Sequence, residues 1–484
     1  MRQRLGVRNA VPLSVRARHR SGLDIAPVGG VNILLMPKPF QISRRSFVRR
    51  CAATAAATGL PLWFVERELA QAQDAPPAPK SANDRPGIAV IGFGGRMGDD
   101  ARAASRLGDI VAVCDVDDNH ASNGVRQYTR NGKTPAKYSD FRKAIENPDV
   151  NIVVQATPDH WHTLVNLAAA KAKKDIYSEK PLTLTIEEGK LVSKAVRENK
   201  VILQTGTQQR SDRNFHMACE LVRNERIGKL KTITVYLPAG LQAGPFKVAT
   251  PPAELNWDFW LGQAPQVEYF RERVYDGNFR WWWDYSGGPV TDWGAHHNDI
   301  ARWAVGQDGP LSVEAKIITP PIPGGYTTPK DYEATLTWAN DITQHVKITP
   351  DDSPYGAILK RDGQRNGIRF EGSNGWIWVN RSGFSASDED LATQPLPANA
   401  VKLESSSNHM QNFFDAVRSR KDPISPVESG HRSASVGHLI VIALRTGKKF
   451  QWDPAKEVFV GENAAEGNAM TAREMRKPYD LSMA

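Results

Sequence analysis

At 484 residues the chain is too long for one ordinary hydrophobic core, so two domains are expected. Its formal charge of +9 points toward a polyanion, yet residues 1–72 hold 12 of the 62 Lys and Arg and only 3 of the 53 Asp and Glu. Everything after that leader is charge-balanced, which removes the electrostatic case for nucleic acid as a partner.

The leader contains "SRRSFVRR" at 43–50, an apolar run over 51–65 and the small-residue site Ala70-Gln71-Ala72. That composite reads as a twin-arginine export signal over 36–72, with a periplasmic or otherwise exported product and the export machinery as a partner. Met36 is the expected initiator and 1–35 a non-native extension. A run of 15 residues falls short of the roughly 20 that span a bilayer, so no stable membrane anchor is expected. Cys114 and Cys219 are read as packing residues rather than a disulfide.

A Pro/Ala-rich linker, 73–86, leads into the first folded unit. Over 87–205, apolar runs recur at 88–91, 110–114, 151–156, 175–177 and 201–204 with helix-length patterns between them. Short apolar strands alternating with helices predict a parallel sheet covered on both faces. From 206 to 484, segments with alternating polarity or branched residues at 231–237, 313–318, 334–338, 343–348, 368–371 and 375–379 predict a mostly antiparallel sheet. Helical patterns at 409–418 and 433–446 are expected to cover it. The fold class is therefore α/β, a Rossmann-type domain followed by an α+β domain with a large sheet.

The first strand runs into "GFGGRMG", in which Gly92, Gly94, Gly95 and Gly98 let backbone approach a pyrophosphate whose charge meets a helix N-terminus. The third glycine falls one residue later than in GxGxxG. Phe93, Arg96 and Met97 complete the expected contact loop. Asp115 ends the second strand, 23 residues after Gly92, close to the roughly 20 expected of the acid that accepts ribose hydroxyls. NAD is the expected cofactor, and Arg96 keeps NADP open as the alternative. The loop "TPDHWH" places Thr157, Pro158, His160, Trp161 and His162 at another carboxyl end of the sheet, where ligands bind in such folds. Glu179 and Lys180 follow the strand 175–177 in the same way.

In "GGPVTDWGAHHNDIARW", Asp292, His296 and Asp299 fall at i, i+4 and i+7 and share a helix face, while His297 points about 100° away. That set could move a proton or hold a metal. Seven tryptophans lie between Trp257 and Trp303, Trp283 among them, suited to sugar faces or to packing. Gln208 and Arg210 in "GTQQRS" suit a polyhydroxylated or acidic sugar.

Together "IGFGGRMG", "ATPDHWH", "EKP", "LQTGTQQRS", "WWWDYSGGPVTDWGAHHNDIARWAVG" and "MRKPYDL" resemble the glucose-fructose oxidoreductase and inositol dehydrogenase (Gfo/Idh/MocA) family, and its exported, Trp-rich branch in particular. The resemblance spans about 86–478. It implies nicotinamide-dependent oxidation of a sugar or polyol, homodimers or homotetramers, and no metal. It makes Lys180 the catalytic lysine, Asp292 the motif aspartate and His296 the general base, with Gln208, Arg210, Trp283 and His297 toward substrate. Two alternatives use the same residues: a glycosidase or epimerase that oxidises transiently with no net redox change, and a non-catalytic sugar-binding protein.

Overall fold

The computed structural model describes residues 44–73, 85–348 and 366–484. The stretch 1–43, most of the expected linker and the segment 349–365 lie outside the described residues.

Six strands form the first sheet: β1 Gly87–Ile91, β2 Asp109–Cys114, β3 Ala136–Tyr138, β4 Ile152–Gln155, β5 Asp175–Ser178 and β6 Leu203–Thr205. All neighbours are parallel, in the order β3-β2-β1-β4-β5-β6. Every residue of β1, β4 and β5 is buried, because apolar clusters cover both faces of the sheet. This is why these strands read as unbroken apolar runs. β3 went unrecognised in the sequence: it is a three-residue edge strand, "AKY", too short and too polar to carry a period. The strand order reverses between β1 and β4, so the loops leaving their carboxyl ends diverge and open a crevice.

Among the described residues the second sheet has nine strands, six of them, in sequence, being β8 Ser312–Thr319, β9 Asp331–Trp338, β10 Ile342–Ile348, β11 Gly367–Gly372, β12 Gly375–Asn380 and β13 Gly383–Ala386. With β7 Leu230–Leu237, β14 Phe450–Asp453 and β15 Val458–Val460, the order is β13-β12-β11-β7-β10-β9-β8-β14-β15. Within this sheet, only β7 and β10 run parallel among the described strands. In β9, Tyr332, Ala334, Leu336 and Trp338 are buried while Glu333 and Thr337 are exposed, so one face is covered and the other open. The helices Arg213–Arg223, Trp293–Val305 and Val427–Thr446 pack together as the cover.

One expected cover lies elsewhere. The helix His409–Ser419 inserts Met410, Phe413 and Phe414 into the cluster that holds Ile88 and Val90 of β1, so it covers the first sheet. Tyr479 and Met483 likewise return to that sheet's other cluster. An amphipathic helix specifies that it needs an apolar surface, not which one.

Within the stretch read as an export signal, the helix Leu62–Gln73 lies against the body. Phe64 and Val65 are fully buried, Trp63 Nε1 donates to the Ala392 carbonyl (3.1 Å), and Arg67 pairs with Glu220. Among the described residues no helix is long and apolar enough to cross a membrane. Cys51, Cys114 and Cys219 are all buried and free.

Candidate active site

The loops after β1, β2, β4 and β5, the turn before the helix Trp293–Val305, and the end of β12 enclose a cavity of about 690 Å³. One end is built for a nucleotide. Gly92 has φ +80°, and a Cβ there would stand 2.8 Å from the Thr157 backbone, so only glycine fits. Gly94, Gly95 and Gly98 are different: a Cβ on any of them would meet nothing within 4 Å. Of these, Gly94 and Gly95 line the cavity, just ahead of the helix Met97–Ala104, whose N-terminus has no side-chain cap and so suits an anion.

Asp115 closes this end. Its Oδ2 accepts from Phe93 N (2.7 Å) and its Oδ1 from Asp117 N (2.9 Å), which orient the carboxylate and leave each oxygen a second acceptor site for a ribose hydroxyl. His120 stands 3.7 Å from Asp115. Arg96 lines the cavity, but its Nε donates to Glu179 (3.0 Å) and its Nη2 to Asp100 (2.7 Å). Its guanidinium is therefore committed to buried carboxylates instead of a 2′-phosphate. The residues present fit NAD.

At the other end, Lys180 Nζ donates to Asp292 Oδ1 (2.6 Å) and to the Asp292 carbonyl (3.2 Å), while Arg280 Nε donates to the same Oδ1 (3.1 Å). Burial alone would raise the Asp292 carboxyl; the two cations overrule it and hold it at about 2. Asp292 is the N-cap of the helix Trp293–Val305, and one turn on, His296 lines the cavity. Burial, then the charges of Lys180 and Arg381, push His296 well below its ordinary 6.5, so the ring is neutral at pH 7. Among the described residues its buried Nδ1 has no hydrogen-bond partner. A neutral imidazole and an ammonium held by a carboxylate thus share one cavity with the glycine loop.

Thr157, Pro158, Trp161, His162, Glu179 and Gln208 also line the cavity. His162 braces two loops, with Nδ1 2.6 Å from the Pro181 carbonyl and Nε2 2.9 Å from that of Thr157. Gln208 donates to Glu179 Oε1 (2.7 Å) and Tyr177 Oη (3.0 Å).

Six expected contact residues do not line it. Phe93 turns its ring onto Tyr128 (6.1 Å), leaving only its backbone near Asp115, and Met97 is in the core of the first sheet. His160 is packed against Tyr285 and Trp260 (5.1 and 5.4 Å), and burial drives its pKa to about 3. Trp283 lies outside, its backbone N donating to Thr327 (2.8 Å). His297 bonds Asn366 (2.8 Å) and stacks on Trp293, with burial again lowering its pKa to about 3. Arg210 forms a two-pronged pair with Asp299 (2.7 and 2.8 Å), both fully or almost fully buried, beneath Trp303. Asp299 is thereby also withdrawn from the acid–base face expected in the sequence. Sequence reasoning missed Arg280, Asp159 and Arg381, which line the cavity. Arg280 had a signal, since it opens the run Trp281-Trp282-Trp283; Arg381 had none.

The family model described as "Oxidoreductase family, NAD-binding Rossmann fold" matches residues 87–207, and that described as "Oxidoreductase family, C-terminal alpha/beta domain" matches 241–481. A myo-inositol 2-dehydrogenase of Thermotoga maritima is 28% identical over 46% of this chain, and the match takes in 55%, about half, of that relative's length. A scyllo-inositol 2-dehydrogenase (NAD(+)) of Bacillus subtilis is 26% identical over 66% of this chain and 83% of its own. The WlbA dehydrogenase of Bordetella pertussis, solved with NADH and UDP-GlcNAcA, shares the fold with TM-score 0.56 at 18% identity, over 76% of this chain and 99% of that one. With both family domains matched in order around this cavity, the chain belongs to the Gfo/Idh/MocA oxidoreductase family, an NAD-binding Rossmann domain followed by the family's C-terminal α/β domain.

Proposed function

We propose that the protein oxidises a hydroxyl-bearing carbon of a sugar or polyol, with Lys180, Asp292 and His296 as its catalytic residues. The observation that carries this is the Lys180–Asp292 pair set beside a neutral His296 in the cavity of the glycine loop. Bound NAD supplies the hydride acceptor. The substrate carbon gives up hydride and its hydroxyl gives up a proton, leaving a carbonyl; His296, unprotonated, takes that proton. Lys180 donates to the substrate oxygen and stabilises the negative charge that grows there. Asp292 keeps Lys180 aimed, through its carboxylate and its carbonyl. The inositol dehydrogenases among the relatives support a polyhydroxylated substrate class.

The test is to purify the protein, add sugars and polyols, and follow formation of reduced nicotinamide. Accumulating NADH supports the reading. Glycoside cleavage or epimerisation with no net NADH would replace it with a redox-neutral reaction, and binding without turnover across the panel would make this a sugar-binding protein.

Export through the twin-arginine route is part of the proposal, supported by the Arg44-Arg45 pair and the apolar run after it. Replacing both arginines by lysine should leave the precursor inside the cell; unchanged export would sink this part. Assembly into homodimers or homotetramers is part of the proposal as well, supported by the exposure of Ile317 and Ile318 near the end of β8 (39% and 46%). Sedimentation of a monomer would reject it.

A further inference from the structure

Four cationic side chains line the cavity: Arg96, Lys180, Arg280 and Arg381. The first lies on Glu179 and Asp100, and the next two share Asp292. Arg381, directly after β12, differs. Among the described residues no carboxylate comes within the 4.0 Å of an ion pair, and no acceptor reaches its terminal nitrogens.

Arg381 is nonetheless positioned. Its guanidinium lies over the Trp293 ring, 4.8 Å from the centroid. With the Gln209 amide oriented to satisfy both its neighbours, that side chain accepts from Arg381 Nε (3.2 Å) and donates to the His296 carbonyl (3.1 Å). Arg381 is thus tied to the turn of helix that carries the base, not to the Asp115 end where a ribose is expected. It is also solvent-exposed at the cavity wall, so a ligand can reach it. A planar guanidinium stacked on an indole keeps its N–H edge free, the geometry that takes a carboxylate through two hydrogen bonds.

The surroundings sharpen the choice of ligand. Asp115, Asp117, Asp159, Glu179, Asp276 and Asp292 also line the cavity, so an anion entering it is repelled except beside a cation that is not already neutralised. Arg381 is the cation that meets this condition.

We propose that Arg381 is a substrate-recognition residue and that the sugar oxidised here carries a carboxylate, as in a uronic acid, which Arg381 binds so that the ring lies against His296. This rests on the oxidoreductase reading above.

The test compares matched pairs, a hexose and its uronate, with the full-length protein, its R381Q and R381K variants, and NAD. The uronates should be preferred in kcat/KM. R381Q should lose about 10- to 100-fold on the uronates, mostly through KM, and the loss on each uronate should exceed that on its matched hexose by about tenfold or more. R381K should recover part of the loss. A wild-type preference for the neutral hexoses would overturn the proposal. So would an equal loss on both members of each pair, which would mean that Arg381 only steadies Trp293. Calorimetric binding of the uronates to wild type and R381Q separates the two readings. Arg381-dependent binding without NADH formation supports this assignment while defeating the oxidoreductase reading; Arg381-independent binding defeats the assignment alone.

Discussion

Lys180 and His296 divide the work by charge. Lys180 is held by Asp292 through a 2.6 Å contact, while His296 is kept neutral because it is buried beside cations. Lys180→Ala and His296→Ala should each lower kcat by about 10²- to 10⁴-fold, with NAD affinity within about threefold of wild type as read by fluorescence titration. Full turnover in either would remove that residue from the mechanism. The pH profile gives an independent check. A base whose pKa is depressed stays competent below its ordinary value, so kcat/KM should hold level from pH 7 down past the ordinary 6.5 and fall only at lower pH. An acid limb centred at or above 6.5 would contradict the burial of His296.

The glycine loop separates two reasons for lacking a side chain. Gly92→Ala forces a left-handed backbone and a clash with Thr157, and should cost about 2 kcal/mol or more of stability, measured by denaturant unfolding. Gly94→Ala meets no protein atom, so stability should barely change while NAD affinity falls, because the methyl occupies the cradle. The helix Trp293–Val305 shows the same division along its length: its first turns serve the cavity, and Asp299 farther on locks Arg210 from the turn Gln208–Ser211 and Ser433 from the helix Val427–Thr446. Arg210→Met leaves a buried, uncompensated carboxylate and should destabilise by about 3–5 kcal/mol. A substrate-binding arginine would instead raise KM at constant stability.

Across the whole molecule, several histidines are buried in the neutral form. His160, His297 and His438 are held at about 3 and His409 at about 4, in each case chiefly by burial. Once unfolded they bind protons near 6.5, so below that pH the unfolded chain takes up more protons than the folded one. Stability should therefore be fully present above about 6.5 and decline as pH falls toward about 4, by about 1.4 kcal/mol per pH unit for each such histidine. Urea unfolding at a series of pH values measures this slope. A flat profile between pH 6.5 and 4 would mean that these rings are solvated or charged in the folded state.

The two sheets, the glycine loop and the cluster at Asp292 follow from patterns a few residues long. Strand and helix periods, the steric needs of a strand-to-helix turn, and an acid and a base one helical turn apart are local properties of the chain. What the tertiary structure decided is which charges remain available. Lys180 and Asp292 are 112 positions apart, and Arg210 and Asp299 are 89 apart. Nothing near Arg210 or Arg381 in the sequence says that the first is neutralised in the core and that the second reaches the cavity with no ion-pair partner among the described residues. His296 and His297 are adjacent, yet one faces the cavity and the other bonds Asn366. Ion pairing and desolvation depend on distance and burial, and both are set by how distant segments pack.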